Sequence, residues 1–314
     1  MTKIQDQFIS IGLAIYNQEK NIVKCVQSIL SQTHVNFELL ISDDCSTDDT
    51  IRICEDFSKK DKRVKLFKQK KNLGVSDNFY FVFRKSRYKF FIWLSGDDYI
   101  SKDYLENNIN TLLTNNNCVF AASPNAYVDE NNDLFDISSF SISGTFFERG
   151  SKFLDLCFKA TGCNFAIYKK EILESCPDLK KRFLGHDWKV ISHALSKGDF
   201  IRSEKGMVYL GKGGISSNPY FMEKEINNFL ENFFPLKEFS FFFFNSFISS
   251  RKILFSEKIV LIYKLFCLNI VIIINKFKNI LRLLFVKRKD IFSPSYSQNK
   301  SLILKLLNFF SKKS

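Results

Sequence analysis

The sequence predicts an α/β protein with a mostly parallel central sheet flanked by helices, followed by a helical, basic C-terminal extension. Short apolar runs alternate with segments of helical periodicity over about the first 120 residues, as in parallel strands joined by crossover helices. The runs are apolar on both faces, which indicates strands buried on both sides. Two of them end on paired aspartates, at the sheet edge where such folds bind ligands.

Unbroken apolar runs predict the strands. In chain order, the runs lie at residues 8–15, 37–44, 64–67, 90–98, 118–122 and 163–168. Between them, Asn72-Leu73-Gly74 indicates a turn and the acidic and amide residues at 129–133 indicate a turn or loop. No internal repeat and no Pro/Gly-rich linker interrupts this order.

Apolar residues at helical spacing predict the helices, including one at residues 21–32 and one at residues 187–197. Their inward faces carry, in chain order, Ile22, Val26, Ile29 and Leu30; Ile53 and Phe57; Phe79, Val82 and Phe83; Leu105, Ile109, Leu112 and Leu113; and Trp188, Ile191 and Leu195. Ser46 or Thr47 is expected to cap the second helix and Ser101 the fourth, because a hydroxyl can accept from the free N–H groups of a first turn. From residue 226 onward the pattern is helical and aromatic.

The chain is long enough for one large domain and an appendage, which we place at residues 1–225 and 226–314. The formal net charge of +13 is concentrated in the appendage. Residues 251–314 contain fourteen Lys and Arg against two Asp and Glu, a charge of +12, which leaves +1 for residues 1–250. No nucleic-acid recognition motif accompanies the basic residues, so no nucleic-acid partner is expected.

The 8 cysteines are scattered, without a Cys-x-x-Cys pair or zinc spacing. Several fall at apolar positions, where a free thiol packs as a small hydrophobic group. The first residues lack the charged and then apolar pattern of a secretion signal. We therefore expect a reduced, cytoplasmic protein.

The two aspartate pairs are the candidate site. Asp43 and Asp44 end one predicted strand, and Asp97 and Asp98 follow another. A single such pair more often belongs to a turn or a helix cap. Four carboxylates at one edge would repel one another unless a cation or hydrogen-bond donors lie between them. The two pairs together predict a divalent metal and a polar ligand with hydroxyls and phosphates.

Six segments, in this order and spacing, resemble glycosyltransferase family 2, the inverting enzymes with the GT-A fold, of the kind that builds bacterial surface glycans. The segments are residues 10–19, 28–33, 41–48, 72–74, 93–99 and 185–188. The resemblance covers roughly residues 8–215 and implies the GT-A fold, a nucleotide-diphosphate sugar as donor and a divalent metal, Mg²⁺ or Mn²⁺.

The resemblance also implies roles for individual residues. Tyr16 would lie near the face of the nucleotide base, Asp44 would accept a hydrogen bond from the base, and Asp97 would face the ribose or the water shell of the metal. Asp98 would coordinate the metal, and Asp187 would be the general base. The whole set of expected nucleotide-sugar contacts is Ala14, Ile15, Tyr16, Asn17, Glu19, Asp43, Asp44, Asn72, Gly74, Asp97 and Lys212. The expected acceptor-side residues are His186, Trp188 and Asn164.

For three of these residues the sequence leaves a structural alternative open. Asp187 can also cap the helix that follows it, and His186 can simply pack. Asn164 can equally serve a strand or a turn.

Two departures from the family pattern stand out. Ser95 occupies a position where the family often has an aspartate, and the loop at residues 210–216 has no histidine for a metal. Lys212 in that loop would contact the diphosphate directly, which would weaken the dependence on metal.

The C-terminal region has two main interpretations. Residues 259–274 are apolar except for Lys264 and Asn269, which falls short of the ~20 residues of a spanning helix. One helical stripe collects Lys264, Asn275, Lys278 and Arg282, and a basic triplet follows at 287–289. This favours a helix on an anionic membrane surface, at the cytoplasmic face of the inner membrane. The alternative is an ordinary helix packed on the catalytic domain.

The expected function is an inverting, metal-assisted sugar transfer from a nucleotide-diphosphate sugar to a hydroxyl of a growing surface glycan, such as a lipopolysaccharide or capsule, or of a lipid-linked oligosaccharide. The rival is a non-catalytic sugar-nucleotide-binding subunit of a glycan-assembly complex, which Ser95 and the missing histidine would favour. A nucleotidyltransferase is disfavoured, because residues 14–19 lack the glycine-rich loop and basic residue of that class.

Overall fold

The computed structural model describes residues 4–128, 133–181, 183–211 and 234–285, with the backbone alone for Thr161 and residues 275–285. The strands are β1 (Ile9–Ile15), β2 (Phe37–Asp43), β3 (Val64–Lys68), β4 (Phe90–Ser95), β5 (Tyr99–Ile100), β6 (Cys118–Ala122), β7 (Asn125–Val128), β8 (Leu134–Ser138), β9 (Ile167–Lys169), β10 (Asp199–Arg202) and β11 (Val208–Gly211). The α-helices are α1 (Ile22–Leu30), α2 (Thr50–Lys60), α3 (Val75–Lys85), α4 (Tyr104–Thr114), α5 (Phe146–Leu156), α6 (Lys170–Glu174), α7 (His186–Lys197), α8 (Lys237–Phe243) and α9 (Phe255–Phe285). Short 3₁₀ helices lie at Ile4–Asp6 and Cys157–Phe165, and a π-helix lies at Phe244–Ile248.

Seven strands form the central sheet, in the order β10-β6-β9-β4-β1-β2-β3. All pairs are parallel except those of β9, which runs antiparallel to β4 and β6. The predicted mostly parallel α/β sheet is confirmed. Because β2 lies on one side of β1 and β4 on the other, the crevice beyond the carboxyl ends of β1 and β4 is the switch point where such sheets bind ligands.

Strand β1 shows why the centre of the sheet is closely packed on both faces. Ile9, Ile11, Leu13 and Ile15 are at most 2% exposed and face one core. The other face carries small residues, and a Cβ at Gly12 would lie 2.8 Å from both Phe91 and Val82. Helix α3, which contains Val82, can therefore pack closely on β1.

A second, four-stranded sheet lies in the order β5-β11-β7-β8. Strand β5 begins directly after Asp97 and Asp98 and pairs antiparallel with β11. That pairing brings Gly211, the last residue of β11, to the aspartate pair.

The helices of residues 234–285 share a hydrophobic core with the α/β domain. Phe239, Phe243, Phe247, Leu261, Leu265 and Leu268 join the cluster that contains Phe153 of α5 and Ile191 of α7. The alternative of a helix packed on the domain is thus correct for one face of α9. The proposed boundary at residue 225 lies outside the described residues and stays a prediction. Within the described part of the chain, no helix combines the length and apolarity needed to cross a bilayer.

Two predicted helix caps are wrong. Helix α2 has Asp49 at its N-cap position, and the Ser46 hydroxyl instead accepts a hydrogen bond from Asn17 in a neighbouring loop. Helix α4 has Asp103 at its N-cap, and the Ser101 hydroxyl donates to the Asp103 carboxylate. In both places the hydroxyl forms its hydrogen bond with another group, a distant backbone N–H for Ser46 and a carboxylate for Ser101, and not with the N–H groups of the first helical turn.

The predicted strand at residues 163–168 is wrong over its first half. Residues Cys157–Phe165 form a 3₁₀ helix, and only Ile167–Lys169 pair as strand β9. Residues 129–132 of the predicted loop lie outside the described residues. The structure has all eight cysteines as free thiols.

Candidate active site

The carboxyl ends of β1, β2 and β4 bring the predicted acidic residues to one edge of the sheet. Register pairs Ile15 of β1 with Asp43 of β2, and Ala14 of β1 with Ser95 of β4. The residues that follow these strands form the rim of the crevice: Tyr16–Glu19, Asp44–Asp49 and Gly96–Asp98.

Two of these rim segments are tied together by hydrogen bonds. The Asn17 N–H donates to Ser46 Oγ (2.9 Å), and the Thr47 N–H donates to Asn17 Oδ1 (2.8 Å). The Glu19 N–H donates to Asp48 Oδ2, and Glu19 Oε2 accepts from the Asp49 N–H, each over 3.1 Å. The side chains of Asn17 and Glu19, expected to contact the nucleotide, thus hold the loop after β2 in place.

The same rim leaves Tyr16 open. Its side chain is 47% exposed, whereas Ile15 before it is buried in the core. Ala14 is half-buried, and the Ile15 carbonyl accepts from the Asp44 N–H over 2.9 Å. Of the expected contacts in this segment, Tyr16 is the one whose side chain the structure presents to a ligand.

Asp43 is fully buried, so the expected direct contact of its side chain with a nucleotide does not fit this structure. Its Oδ2 accepts a hydrogen bond from the Ser46 N–H over 3.0 Å. Its Oδ1 has no hydrogen-bond partner among the described residues. The carboxylate thus supports the turn after β2 from beneath.

Asp44 is 3% exposed and holds the turn at residues 72–74. Its Oδ1 accepts from the Leu73 N–H (2.6 Å) and its Oδ2 from the Gly74 N–H (2.9 Å), while Asn72 Nδ2 donates to the Asp44 carbonyl (3.2 Å). Gly74 has φ +83°, a left-handed conformation that glycine adopts without strain. Both oxygens of Asp44 are therefore engaged, and a hydrogen bond from a base would have to share one of them.

The second pair, Asp97 and Asp98, lies under β11. The Gly211 N–H donates to Asp98 Oδ1 over 2.9 Å. A Cβ at Gly211 would lie 2.7 Å from the Asp97 carbonyl oxygen and 3.2 Å from Asp97 Oδ2, so only glycine fits without a shift. Asp98 is 4% exposed and Asp97 is half-buried.

Burial makes both carboxylates costly to ionise. Burial raises the pKa of Asp98 well above its usual value, and the charge of Asp97 adds to the effect. Burial also raises the pKa of Asp97. Beneath them, burial and then the charges of Asp98 and Asp97 raise the pKa of the Cys25 thiol, whose Sγ donates to the Ser95 carbonyl. Among the described residues, no positive charge is a main influence on the pKa of either carboxylate.

This donor set fits a hard divalent cation. Two carboxylates, one half-buried and one buried, offer anionic oxygen ligands of the kind that Mg²⁺ and Mn²⁺ prefer. Within the described residues, no three His, Cys, Asp or Glu side chains lie close enough together to hold a metal. Such a cation would need further oxygen ligands, which water or a bound phosphate can supply.

Asp187 lies in the first turn of α7, after Gly185, which has φ +87° at the N-cap. Its side chain is 70% exposed. The Tyr168 hydroxyl, buried in β9, donates to the Cys163 carbonyl over 2.9 Å. Burial raises the pKa of Tyr168, and the charges of Cys163 and Asp187 act in the same direction. The charge of Asp187 thus acts on Tyr168 in β9. Strand β9 runs antiparallel to β6 with Tyr168 opposite Phe120, so the amino end of β9 lies beside the carboxyl end of β6.

The other expected acceptor-side residues have structural contacts. His186 Nε2 lies 2.9 Å from the Leu179 carbonyl, and the Trp188 ring packs edge-on against Phe158 and Phe239. Asn164 is half-buried in the 3₁₀ helix. These contacts favour packing for His186 and Trp188. Lys212 lies outside the described residues.

Sequence reasoning missed the contribution of Gly211. Its role rests on a backbone N–H and on the space left by a missing side chain, and neither gives a signal at the level of residue type. Gly96 was missed as well: a Cβ there would lie 2.9 Å from Gln18 Cγ and 3.0 Å from Ile15 Cγ2. The sequence could have indicated this contact, because a glycine at a strand end often marks a place where another segment approaches the backbone closely.

The model of the family described as Glycosyl transferase family 2 matches residues 10–176. An uncharacterized glycosyltransferase of Rickettsia bellii is 31% identical over 147 residues, which are 46% of this chain and 21% of that protein. An uncharacterized glycosyltransferase of Haemophilus influenzae is 37% identical over 107 residues, 34% of this chain and 43% of that protein. Chondroitin synthase of Escherichia coli is 38% identical over 98 residues, 31% of this chain and 14% of that protein. The chain thus spans less than half the length of each of these relatives.

Solved structures of S. aureus TarS share the fold. The structure of its residues 1–349 in complex with UDP-GlcNAc has a TM-score of 0.62 and 17% sequence identity, and the match covers 93% of this chain and 79% of that one. The structure of the same segment with UDP has a TM-score of 0.58 and 18% identity, over 90% of this chain and 76% of that one. These likenesses confirm the predicted fold class.

Proposed function

The chain belongs to glycosyl transferase family 2, and on that premise we propose that it transfers a sugar, with inversion, from a nucleotide-diphosphate sugar to a hydroxyl of a growing surface glycan or lipid-linked oligosaccharide. The observation that carries the proposal is the Asp97–Asp98 pair, held under Gly211 at the switch point of a parallel sheet. Two adjacent carboxylates whose pKa values are raised by burial at that place suit a cation-bridged diphosphate better than they suit a structural role.

The donor would lie across the carboxyl ends of β1 and β4. Exposed Tyr16 would offer its ring to the base, and the turn that Asp44 holds would border the nucleotide. Asp97 and Asp98 would hold Mg²⁺ or Mn²⁺ against the diphosphate. When bound, the cation would neutralise charge that develops on the leaving diphosphate.

Asp187 would be the general base. Its side chain is 70% exposed and its carboxylate lies 3.8 Å from His186 Nδ1, so it is open to an acceptor hydroxyl. It would take the proton of the acceptor hydroxyl as that oxygen forms a bond to the anomeric carbon. The bond from that carbon to the diphosphate breaks on the opposite face, which releases the nucleoside diphosphate and inverts the anomeric configuration.

Two relatives support the substrate classes. Chondroitin synthase, by its name, makes a polysaccharide, and the TarS structure was solved with UDP-GlcNAc. A UDP-sugar is accordingly the first donor to test and a glycan the first acceptor. The basic C-terminal region supports a place at the cytoplasmic face of the inner membrane, where the acceptor would be anchored.

A thermal-shift screen of the full chain against UDP-, GDP- and dTDP-sugars, with and without Mn²⁺, tests the proposal. A ligand that binds only the folded state raises the unfolding temperature in proportion to RT ln(1 + [L]/Kd). We expect one nucleotide class to stabilise the protein, and more so with Mn²⁺. Absence of a shift with every nucleotide sugar would contradict the proposal. Binding without turnover on any glycan acceptor would favour the rival, a non-catalytic sugar-nucleotide-binding subunit.

A further inference from the structure

Helix α9 has a wide apolar face that no described part of the chain covers. Phe266 is 62% exposed and Tyr263 is 66% exposed. Their exposed neighbours on the helix are Phe255, Ile259, Val260, Ile262, Ile270, Val271 and Ile274. Between residues 259 and 274 the one charged side chain is Lys264. A helix that is apolar nearly all round is usually covered by protein or lipid.

The contacts of the opposite face of α9 fix the rotation of the helix about its own axis. Leu261, Leu265 and Leu268 are at most 8% exposed and pack in the core shared with α5. Lys264 donates to Ser151 Oγ and pairs with Asp155, both on α5. The exposed face therefore cannot rotate into the core without breaking these contacts.

The position of Lys264 corrects the predicted basic stripe. The sequence grouped Lys264 with Asn275, Lys278 and Arg282 as one polar face of a membrane-surface helix. In the structure Lys264 faces the catalytic domain, so the face left open is apolar. The side chains of the other three residues lie outside the described part of the chain.

Helix α8 and the π-helix add to the exposed apolar surface. Asn269 of α9 donates to Ser240 Oγ of α8 over 3.0 Å, so the two helices meet at this point. Next to Ser240, Phe241 is 69% exposed, and Phe244 is 45% exposed. Contiguous apolar surface of this kind marks an interaction site.

Charge indicates what covers this surface. The sequence from residue 251 to the end carries +12, and after Glu257 its only acidic residue is Asp290. A second copy would carry the same net positive charge, which disfavours association of two copies. An anionic bilayer offers both an apolar interior for the aromatic side chains and headgroups for the basic residues.

We propose that the exposed face of α9, together with Phe241 and Phe244 of the neighbouring helices, inserts into the headgroup region of an anionic bilayer. The stripe at Leu261, Leu265 and Leu268 then holds the catalytic domain at a fixed orientation to that surface. This inference rests on the proposed function, because the fixed orientation would present the crevice to a membrane-borne acceptor.

Vesicle binding by the full chain tests the inference. Co-sedimentation is measured with phosphatidylcholine vesicles, with and without phosphatidylglycerol, for the wild type, Phe266→Asp, Phe266→Leu and Val35→Asp. Val35 is 56% exposed in the loop after α1, so its substitution makes the same charge change away from the surface in question. We expect Phe266→Asp to lose roughly tenfold or more in binding to anionic vesicles, because an inserted aromatic group becomes a charge. Val35→Asp and Phe266→Leu should bind like the wild type.

Three results would overturn the inference. The first is equal vesicle binding by Phe266→Asp and Val35→Asp. The second is equal binding of the wild type to neutral and anionic vesicles. The third is no vesicle binding together with a concentration-dependent dimer that Phe266→Asp dissociates, which would make a second copy the partner. Donor-induced thermal shifts without lipid report on the proposed function separately, since Phe266 is not part of the crevice.

Discussion

The backbone N–H of Gly211 donates a hydrogen bond to Asp98 Oδ1 over 2.9 Å, across 113 positions of sequence. The bond joins the end of β11 in the second sheet to the turn after β4 in the central sheet. A backbone donor of the second sheet thereby holds one carboxylate oxygen of Asp98 in place.

Gly211→Ala should weaken donor binding without unfolding the protein. The added Cβ would lie 2.7 Å from the Asp97 carbonyl oxygen and must displace the aspartate pair, although the N–H bond to Asp98 can remain. We expect a roughly tenfold loss in Mn²⁺-dependent donor affinity, equivalent to about 1.4 kcal/mol. Calorimetric titration with the donor and thermal unfolding of the free protein separate the effects. A lower unfolding temperature with unchanged donor affinity would make Gly211 purely structural.

Asp44→Asn should destabilise the turn at residues 72–74. The carboxylate accepts from two backbone N–H groups, and an amide would turn an NH₂ group toward one of them. We expect a loss of about 1–3 kcal/mol in the free energy of unfolding, the cost of a buried donor without an acceptor. Urea denaturation measures it. Asp49→Asn is the matched control, because Asp49 is exposed and its carboxylate pairs with exposed Arg52, so the free energy of unfolding should change much less than in Asp44→Asn.

Asp187→Asn should leave donor affinity and stability nearly unchanged while kcat falls by roughly 10²–10⁴, the usual share of general acid–base catalysis. The exposed side chain explains the small expected change in stability. Steady-state kinetics with the selected donor and a membrane acceptor measure the effect, and Glu171→Gln, in the first turn of α6, is the control. Unchanged turnover would move the base to another residue, and a collapse in donor affinity would make Asp187 a donor-site residue.

Stability should fall as the pH drops below about 6.5, in part through His193. Burial lowers the pKa of His193 to about 4, and the charges of Lys197 and Lys189 add to the effect. The folded state thus resists a proton that the unfolded chain accepts near pH 6.5. The stability due to neutral His193 is present above that pH and is lost as the pH falls through 4. Burial also lowers the pKa of His34, so the slope should shrink in His193→Gln without vanishing. Identical pH profiles of urea stability for the two proteins would contradict this assignment.

The fold was predictable because it follows from short-range patterns. The strands at Ile9–Ile15, Phe37–Asp43 and Phe90–Ser95 are mostly apolar runs, and a parallel sheet brings their carboxyl ends to one edge. That was sufficient to place both aspartate pairs at the crevice.

What each carboxylate does there was not predictable from its place in the sequence. Asp43 and Asp44 are adjacent at one strand end, yet the amide groups that satisfy them come from Ser46 in one case and from the turn at residues 72–74 in the other. The partners of Lys264 lie on α5, more than 100 residues earlier in the chain. Such contacts depend on how distant elements pack, which residue type and spacing do not encode.

Calorimetric titration of the full chain with the best nucleotide sugar from the thermal-shift screen, for the wild type and Asp98→Asn, with and without Mn²⁺, tests the donor site most directly. We expect the wild type to bind the donor with Mn²⁺ and Asp98→Asn to bind at least about tenfold more weakly, because a hard cation loses an anionic ligand. The side-chain carbonyl oxygen of the Asp98→Asn variant can still accept the Gly211 N–H, so the fold should remain intact. Equal donor affinity in the two proteins would contradict the assignment of the Asp97–Asp98 pair as the donor site.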